Sequence, residues 1–224
     1  QILEEEYKEY IETWIHEVKI PISCIGLLCE NNKSDFSQNI QSEVNRIDSF
    51  VEQALFYARS TNIEKDYIIH TIQLADLIRT CVKKHSRQLI NAHAEIHIDS
   101  LDFKVFSDTK WLDFIIGQIL SNSIKYRRQP FILNFFAEEQ TNNIILTIED
   151  NGIGIPSNEL SKVFEKGFTG ENGRVFAKST GIGLYLCKRL CDKMYLSLTI
   201  ESIEGEGTKL HITFPKDKSL VMEN

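Results

Sequence analysis

The sequence predicts an α+β protein in two parts, an antiparallel helical hairpin followed by a globular unit whose helices cover one side of a sheet. Two spacings and a shift in charge carry that reading. Over roughly the first quarter of the chain apolar residues recur every three or four positions, whereas the later part ends in period-two alternation. The first 66 of the 224 residues hold 13 of the 32 acidic and 6 of the 25 basic side chains, so the whole −7 excess sits there and the remainder is balanced. Such a division argues for two parts and against nucleic-acid binding as the main activity.

In the first part Ile11, Ile15, Val18, Ile22, Ile25 and Cys29 form one apolar seam, and Ile40, Val44, Ile47, Val51, Ala54 and Ala58 form a second. Apolar positions about 3.5 residues apart suit helices that pack on helices. The polar stretch ENNKSDFS at 30–37 separates them as a turn. Two stripes cannot enclose a core, so a second copy closing a four-helix bundle, a homodimer, is expected. His16 stands beside Ile15, next to the seam and not in it, and its ring should reach solvent. Pro21 lies inside the same helical pattern, where a proline costs about 3 kcal/mol and leaves the Glu17 carbonyl without its helical donor.

After the polar stretch at 60–66 the pattern changes. A strand is expected at 68–74, a helix at 75–90, strands at 94–98 and 104–106, and a strongly apolar helix at 109–126. Strands at 131–136 and 144–148 flank the turn EEQTNN. Leu196, Leu198 and Ile200 then alternate with polar residues, as do Leu210, Ile212 and Phe214. One covered and one wet face means helices on one side of a mixed or antiparallel sheet. His93 and His97 read as strand residues with no assigned chemistry.

Hydrophobic content of 42% and charged content of 25% belong to an ordinary globular chain. Its apolar runs fall short of membrane-spanning length. The chain begins at Gln1 without a methionine or signal-peptide pattern, which reads as a fragment whose membrane segments lie outside it. Five cysteines at irregular spacing make no disulfide framework and fit a reducing cytoplasm. Cys187 and Cys191, four apart on a helix, are expected in the core and not on a metal.

Seven of the 11 glycines fall between Gly152 and Gly183, as in a mobile loop or a phosphate cradle. Neither a Walker A pattern nor GxGxxG is present. In DNGIGIP, at 150–156, Asn151 and Gly152 fit a two-residue hairpin. The second glycine and the proline favour the alternative, that Asp150 ends a strand with its carboxylate facing a pocket, where it accepts an exocyclic amine such as that of adenine. Ser179 and Thr180 precede GIGLYLCKRL as a helix start, and Lys162, Lys166, Arg174 and Lys178 add positive charge before it. On the helix at 109–126, Gln118, Asn122, Lys125 and Tyr126 share a polar face, which is either solvated or suited to Mg²⁺ and phosphate.

The ordered motifs HEVKIP, QILSNSIKY, DNGIGIP, VFEKGF, STGIGLYL and GEGTKLHITF resemble the H, N, G1, F, G2 and G3 boxes of bacterial sensor histidine kinases. The wording WIHEVKIPI, GQILSNSIKYR and VFEKGFTGENGR is most similar to the small intramembrane-sensing kinases of bacitracin-type peptide antibiotic resistance. The resemblance implies a dimerisation and phosphotransfer hairpin over 1–62 and, over 67–217, an α/β sandwich ATP-binding domain of the gyrase, Hsp90 and histidine kinase type. It makes His16 the phospho-acceptor, with Glu17 as its adjacent base. By the same similarity Asp150 reads adenine, Asn122 binds Mg²⁺, and Lys125 and Tyr126 contact nucleotide. Gly152, Gly154, Gly181 and Gly183 hinge the loops around ATP, and Lys166, Phe168 and Thr208 fall in the boxes that line it.

The implied partners are a second copy through the hairpin, a response regulator receiver domain, and a peptide-antibiotic ABC transporter through absent membrane segments; the implied location is the cytoplasmic side of a bacterial cell membrane. Two positions depart from the family. Ile20 stands where Thr or Asn usually orients water for removing phosphate from the regulator, so the resemblance does not extend to phosphatase activity. Gln118 stands where the gyrase and Hsp90 ATPases carry a water-activating glutamate, and an amide is no base. The rival readings are a catalytically degenerate ATP-binding scaffold and a plain ATPase of the same fold.

Overall fold

A computed structural model of the chain describes residues 2–32, 34–60, 67–170 and 180–217, without the side chains of 2–10, 12 and 35. It divides into two compact units, Gln1–Asp66 and Tyr67–Asn224.

The first unit is a hairpin of α1 (Ile2–Asn31) and α2 (Asp35–Arg59). α1 runs through Pro21, which has no N–H to give the Glu17 carbonyl. The turn is closed by a reciprocal cap. Ser34 Oγ accepts the Ser37 N–H at 3.1 Å and Ser37 Oγ accepts the Ser34 N–H at 2.9 Å. Ile15, Val44, Val51 and Phe56 are buried, while Ile25 and Ile47 of the same seams stay exposed together with Trp14, Ile20, Leu27 and Leu28. Two helices cover only part of each other's apolar stripe, as expected for half of a bundle.

The second unit opens with β1 (His70–Gln73), paired antiparallel with β3 (Lys104–Ser107). Between them lie α3 (Leu74–Lys84), α4 (Ser86–Asn91) and β2 (Ala94–Ile98). Then follow α5 (Thr109–Lys125), β4 (Phe131–Glu139), β5 (Asn143–Asp150), α6 (Ser157–Leu160), α7 (Gly183–Lys193), β6 (Ser197–Ile203) and β7 (Gly207–Pro215). The main sheet runs β2-β4-β5-β7-β6, with β2 parallel to β4 and the other pairs antiparallel. Phe131, Leu133, Phe135, Leu146, Ile148, Ile212 and Phe214 are buried on its inner face. Trp111, Ile115 and Ile119 of α5 and Leu186 and Leu190 of α7 complete the core, which makes the predicted α+β sandwich. No helix among the described residues is long and apolar enough to cross a membrane.

Three local expectations change. The single helix at 75–90 breaks at His85, whose N–H and Nδ1 both lie within hydrogen-bond reach of the Cys81 carbonyl, at 3.2 and 2.9 Å. His93 is a turn residue at φ 54°, not a strand residue, because the chain reverses there before β2. The first strand ends at Gln73, which is already the N-cap of α3; the Leu74 N–H makes one last in-register bond to the Phe103 carbonyl, at 3.0 Å, as the helix begins.

Candidate functional site

Asp150 closes β5 and its side chain falls on the covered face of the sheet, only 8% exposed. Its Oδ2 accepts the Ser123 hydroxyl at 2.7 Å and its Oδ1 accepts the Gly152 N–H at 2.9 Å. Burial pushes this carboxyl above its ordinary range; the donors from Ser123, Gly152 and the Thr208 backbone pull it back, and neighbouring Glu149 raises it further. The result is a buried acceptor, the arrangement suited to an amine donor.

The residues after Asp150 do not form a hairpin turn. Asn151 Oδ1 accepts the Ile132 N–H at 2.9 Å and its Nδ2 donates to the Pro130 carbonyl at 2.7 Å, which fixes the chain to β4. At Gly152 a Cβ would lie 2.6 Å from the Tyr126 carbonyl oxygen and 2.8 Å from Asp150 Oδ1, so this position admits glycine alone. The loop is then strapped on both sides. Ile153 N–H donates to the Tyr126 carbonyl at 3.0 Å, and Gly205 N–H donates to the Ile153 carbonyl at 2.8 Å. Gly154 passes against the Ile203 carbonyl, and Ile155 N–H reaches Ser202 Oγ at 2.9 Å. Thr208 Oγ1 meets the same hydroxyl at 3.0 Å, so DNGIGIP and the β6–β7 turn form one block.

α5 brings the second set of groups to that block. Its start is capped by Asp108, whose Oδ1 accepts the Lys110 N–H at 2.8 Å. Asn122 is half-buried near its end, and Lys125 Nζ sits 4.9 Å from the Tyr126 ring centroid. Ser123 and the Tyr126 carbonyl tie this helix end to Asp150 and to the glycine loop. Asn122, Lys125, Tyr126, Asp150, Gly152, Gly154 and Thr208 are thereby brought together. Gln118, predicted on the same polar face, is buried at 7% exposure, which sets aside the solvated alternative at that position.

Lys166 is exposed in the turn after α6, and Phe168 follows it half-buried. Gly167 N–H donates to the Gly181 carbonyl at 2.9 Å, joining that turn to the segment ahead of α7. α7 starts at Gly183 with Ile182 as its N-cap and no side-chain cap. Among the described residues the N-cap position is thus not a hydroxyl residue: Thr180 Oγ1 accepts the Ile182 N–H at 3.4 Å, ahead of the helix. Gly173, Arg174, Lys178 and Ser179 lie outside the described residues.

His16 and Glu17 are consecutive exposed residues on α1, directly after Ile15, which is 1% exposed. No group of three or more His, Cys, Asp or Glu side chains among the described residues is placed to hold a metal. Asn122 offers an amide oxygen, which suits a hard cation whose other ligands are water and phosphate. Cys187 and Cys191 sit on the buried face of α7, and burial raises the Cys191 thiol to about 12, so these are packing residues.

The reading from sequence missed Ser123 and Ser202. Ser123 follows Ile116, Ile119 and Leu120 on the buried stripe of α5, and a hydroxyl in such a stripe was the available signal.

Residues 107–218, the segment from the end of β3 through β7, match the model of the histidine kinase-, DNA gyrase B-, and HSP90-like ATPases. The chain belongs to this family. It is also similar to sensor histidine kinase YxdK of Bacillus subtilis, 34% identical over 92% of this chain and 64% of that protein. Sensor protein BceS of Bacillus subtilis is likewise 34% identical, over 94% of this chain and 63% of its own. The chain thus spans less than two thirds of the curated relatives it matches. In fold it is similar to full-length ShkA crystallised with AMPPNP, with a TM-score of 0.68 and 19% identity over 92% of this chain and 45% of that one.

Proposed function

We propose that this chain is the core of a bacterial sensor histidine kinase, which phosphorylates its own His16 from Mg-ATP and passes the phosphoryl group to an aspartate of a response regulator. The observation that carries the reading is the exposed His16–Glu17 pair beside buried Ile15, in a chain whose other unit is a member of this ATPase family. In the proposed site Asp150 accepts the adenine amine, Asn122 holds Mg²⁺, and Lys125, Tyr126, Lys166, Phe168 and Thr208 face the nucleotide. Bound magnesium supplies neutralisation of phosphate charge. A neutral ring nitrogen of His16 forms the new N–P bond as the γ-phosphorus separates from the bridging oxygen of ADP, and Glu17 takes the proton from the other ring nitrogen.

The hairpin, taken as 1–62, dimerises through the apolar positions one copy leaves uncovered, among them Ile25 and Ile47. The domain at 67–217 is the catalytic one. The resemblance of the motifs to the small intramembrane-sensing kinases extends the proposal to a cytoplasmic position in a membrane protein, with a peptide-antibiotic ABC transporter as a partner.

Incubation with γ-labelled ATP tests the reading. A kinase yields acid-labile, alkali-stable label that disappears in His16→Ala and moves to a receiver domain. A scaffold yields no turnover, and a plain ATPase yields free phosphate with unlabelled protein; either outcome sinks the proposal.

A further inference from the structure

Ser123 lies between the proposed magnesium and nucleotide contacts of α5, and it is 3% exposed. A serine inside a helix ordinarily gives its proton to the carbonyl one turn back. This one gives it to Asp150 Oδ2 at 2.7 Å, 27 residues further along the chain. With Gly152 N–H on Oδ1 at 2.9 Å, the two carboxylate oxygens are held by donors from two different segments. Apart from the half-turn flip that exchanges the two equivalent oxygens, no rotation of the Asp150 side chain keeps both.

Resting on the ATP reading above, we infer that Ser123 is a positioning residue that sets base selectivity: by holding Asp150 Oδ2 it fixes a buried edge that takes a 6-amino purine and rejects a 6-oxo purine. A hydroxyl carries one proton, and here it points at Asp150, so Ser123 offers any ligand only lone pairs. An ionised carboxylate offers only lone pairs as well. The amine of adenine supplies the missing donor. The carbonyl of guanine would face acceptors alone, and a site that leaves buried polar groups unmatched discriminates strongly.

Removing the Ser123 hydroxyl takes away one of the donors that oppose protonation of Asp150. Among the described residues, the groups acting on that carboxyl are Ser123 on α5, the Gly152 N–H in the loop, the Thr208 backbone on β7 and Glu149 beside it on β5. Glu149 is itself paired with Lys209 at 3.0 Å. A protonated Asp150 carries a donor of its own, which can meet a carbonyl. Loss of Ser123 therefore relaxes the choice of base, and relaxes it further in acid.

The test is titration of the full chain and its Ser123→Ala and Ser123→Thr variants with AMP-PNP and with GMP-PNP, at about pH 8 and about pH 6. Alanine is the better helix former, so the first variant keeps its fold. In Ser123→Ala the affinity for AMP-PNP falls about tenfold, and the preference over GMP-PNP narrows by at least about that factor and further at the lower pH. Ser123→Thr, which keeps the hydroxyl, restores the preference. A wild type that binds AMP-PNP while Ser123→Ala leaves the preference unmoved at both pH values overturns this inference alone, as does a threonine variant that behaves like alanine. A wild type that does not bind AMP-PNP overturns the kinase reading, and this inference with it.

Discussion

Gly167 donates its N–H to the Gly181 carbonyl at 2.9 Å, and the approach is so close that a Cβ on Gly181 would lie 2.4 Å from the Gly167 carbonyl carbon. Both residues have positive φ, 81° and 64°, but a Cβ on Gly167 would meet nothing within 4 Å. The two positions therefore separate backbone strain from steric closure. Gly167→Ala pays only for the left-handed conformation, about 1–2 kcal/mol, and keeps most nucleotide affinity. Gly181→Ala must also push the two segments apart, and its affinity for ATP should fall by at least about tenfold more, as measured by titration calorimetry. Equal losses in the two variants would mean that this closure does not shape the site.

Asp108 joins two segments of the ATPase unit. One carboxylate oxygen caps α5 through the Lys110 N–H at 2.8 Å, and the other accepts the Ile68 N–H at 3.0 Å ahead of β1. Asp108→Ala loses a cap and orphans a second donor, a cost of about 2 kcal/mol, or about 4–8 °C in the unfolding midpoint of a unit this size. Thermal unfolding by circular dichroism measures it. Because the damage is at the far end of α5 from Ser123, the ATP preference over GTP stays as in the wild type.

Much of this arrangement was legible from spacing because it is fixed by local pattern. Alternation placed β6 and β7, and the apolar stripe of α5 placed that helix to within a residue of its end. What escaped was decided by partners distant in sequence. Asn151-Gly152 fits a tight turn until Asn151 is seen bonded to Pro130 and Ile132. Nearby hydroxyls suggested the start of α7, yet Gly181 answers to Gly167 across the loop. At His85 the backbone leaves helical values, φ −95° and ψ 7°, with its side chain beside the Cys81 carbonyl, which no periodicity records. Exposed Ile25 and Ile47 mark the same limit in the hairpin, where the pattern includes apolar positions that its two helices leave uncovered.

Pro21 withholds a donor from the Glu17 carbonyl one turn from His16. Pro21→Ala returns that hydrogen bond and should stabilise α1 by up to about 3 kcal/mol. If the missing hydrogen bond allows the bundle two settings around the His16 ring, restoring it changes the ratio of autophosphorylation to phosphotransfer, read from labelled protein with and without a receiver domain. Unchanged rates of both, in a hairpin that has become more stable, would leave Pro21 without a part in the reaction.

The raised pKa of Asp150 has opposite consequences for folding and for binding. Burial is its main cause, so the folded chain takes up this proton more readily than the unfolded chain, for which 3.8 is the ordinary value. The stability this contributes is present below 3.8 and is lost as pH rises through the folded-state value. Adenine binding runs the other way, because only the ionised carboxylate accepts the amine without offering a competing donor. The rise in unfolding temperature caused by AMP-PNP should therefore shrink on acidification, at a pH above the ordinary carboxylate value, while the ligand-free protein is still folded. If that ligand-induced rise stays constant down to about pH 4, Asp150 is not the group that reads the base.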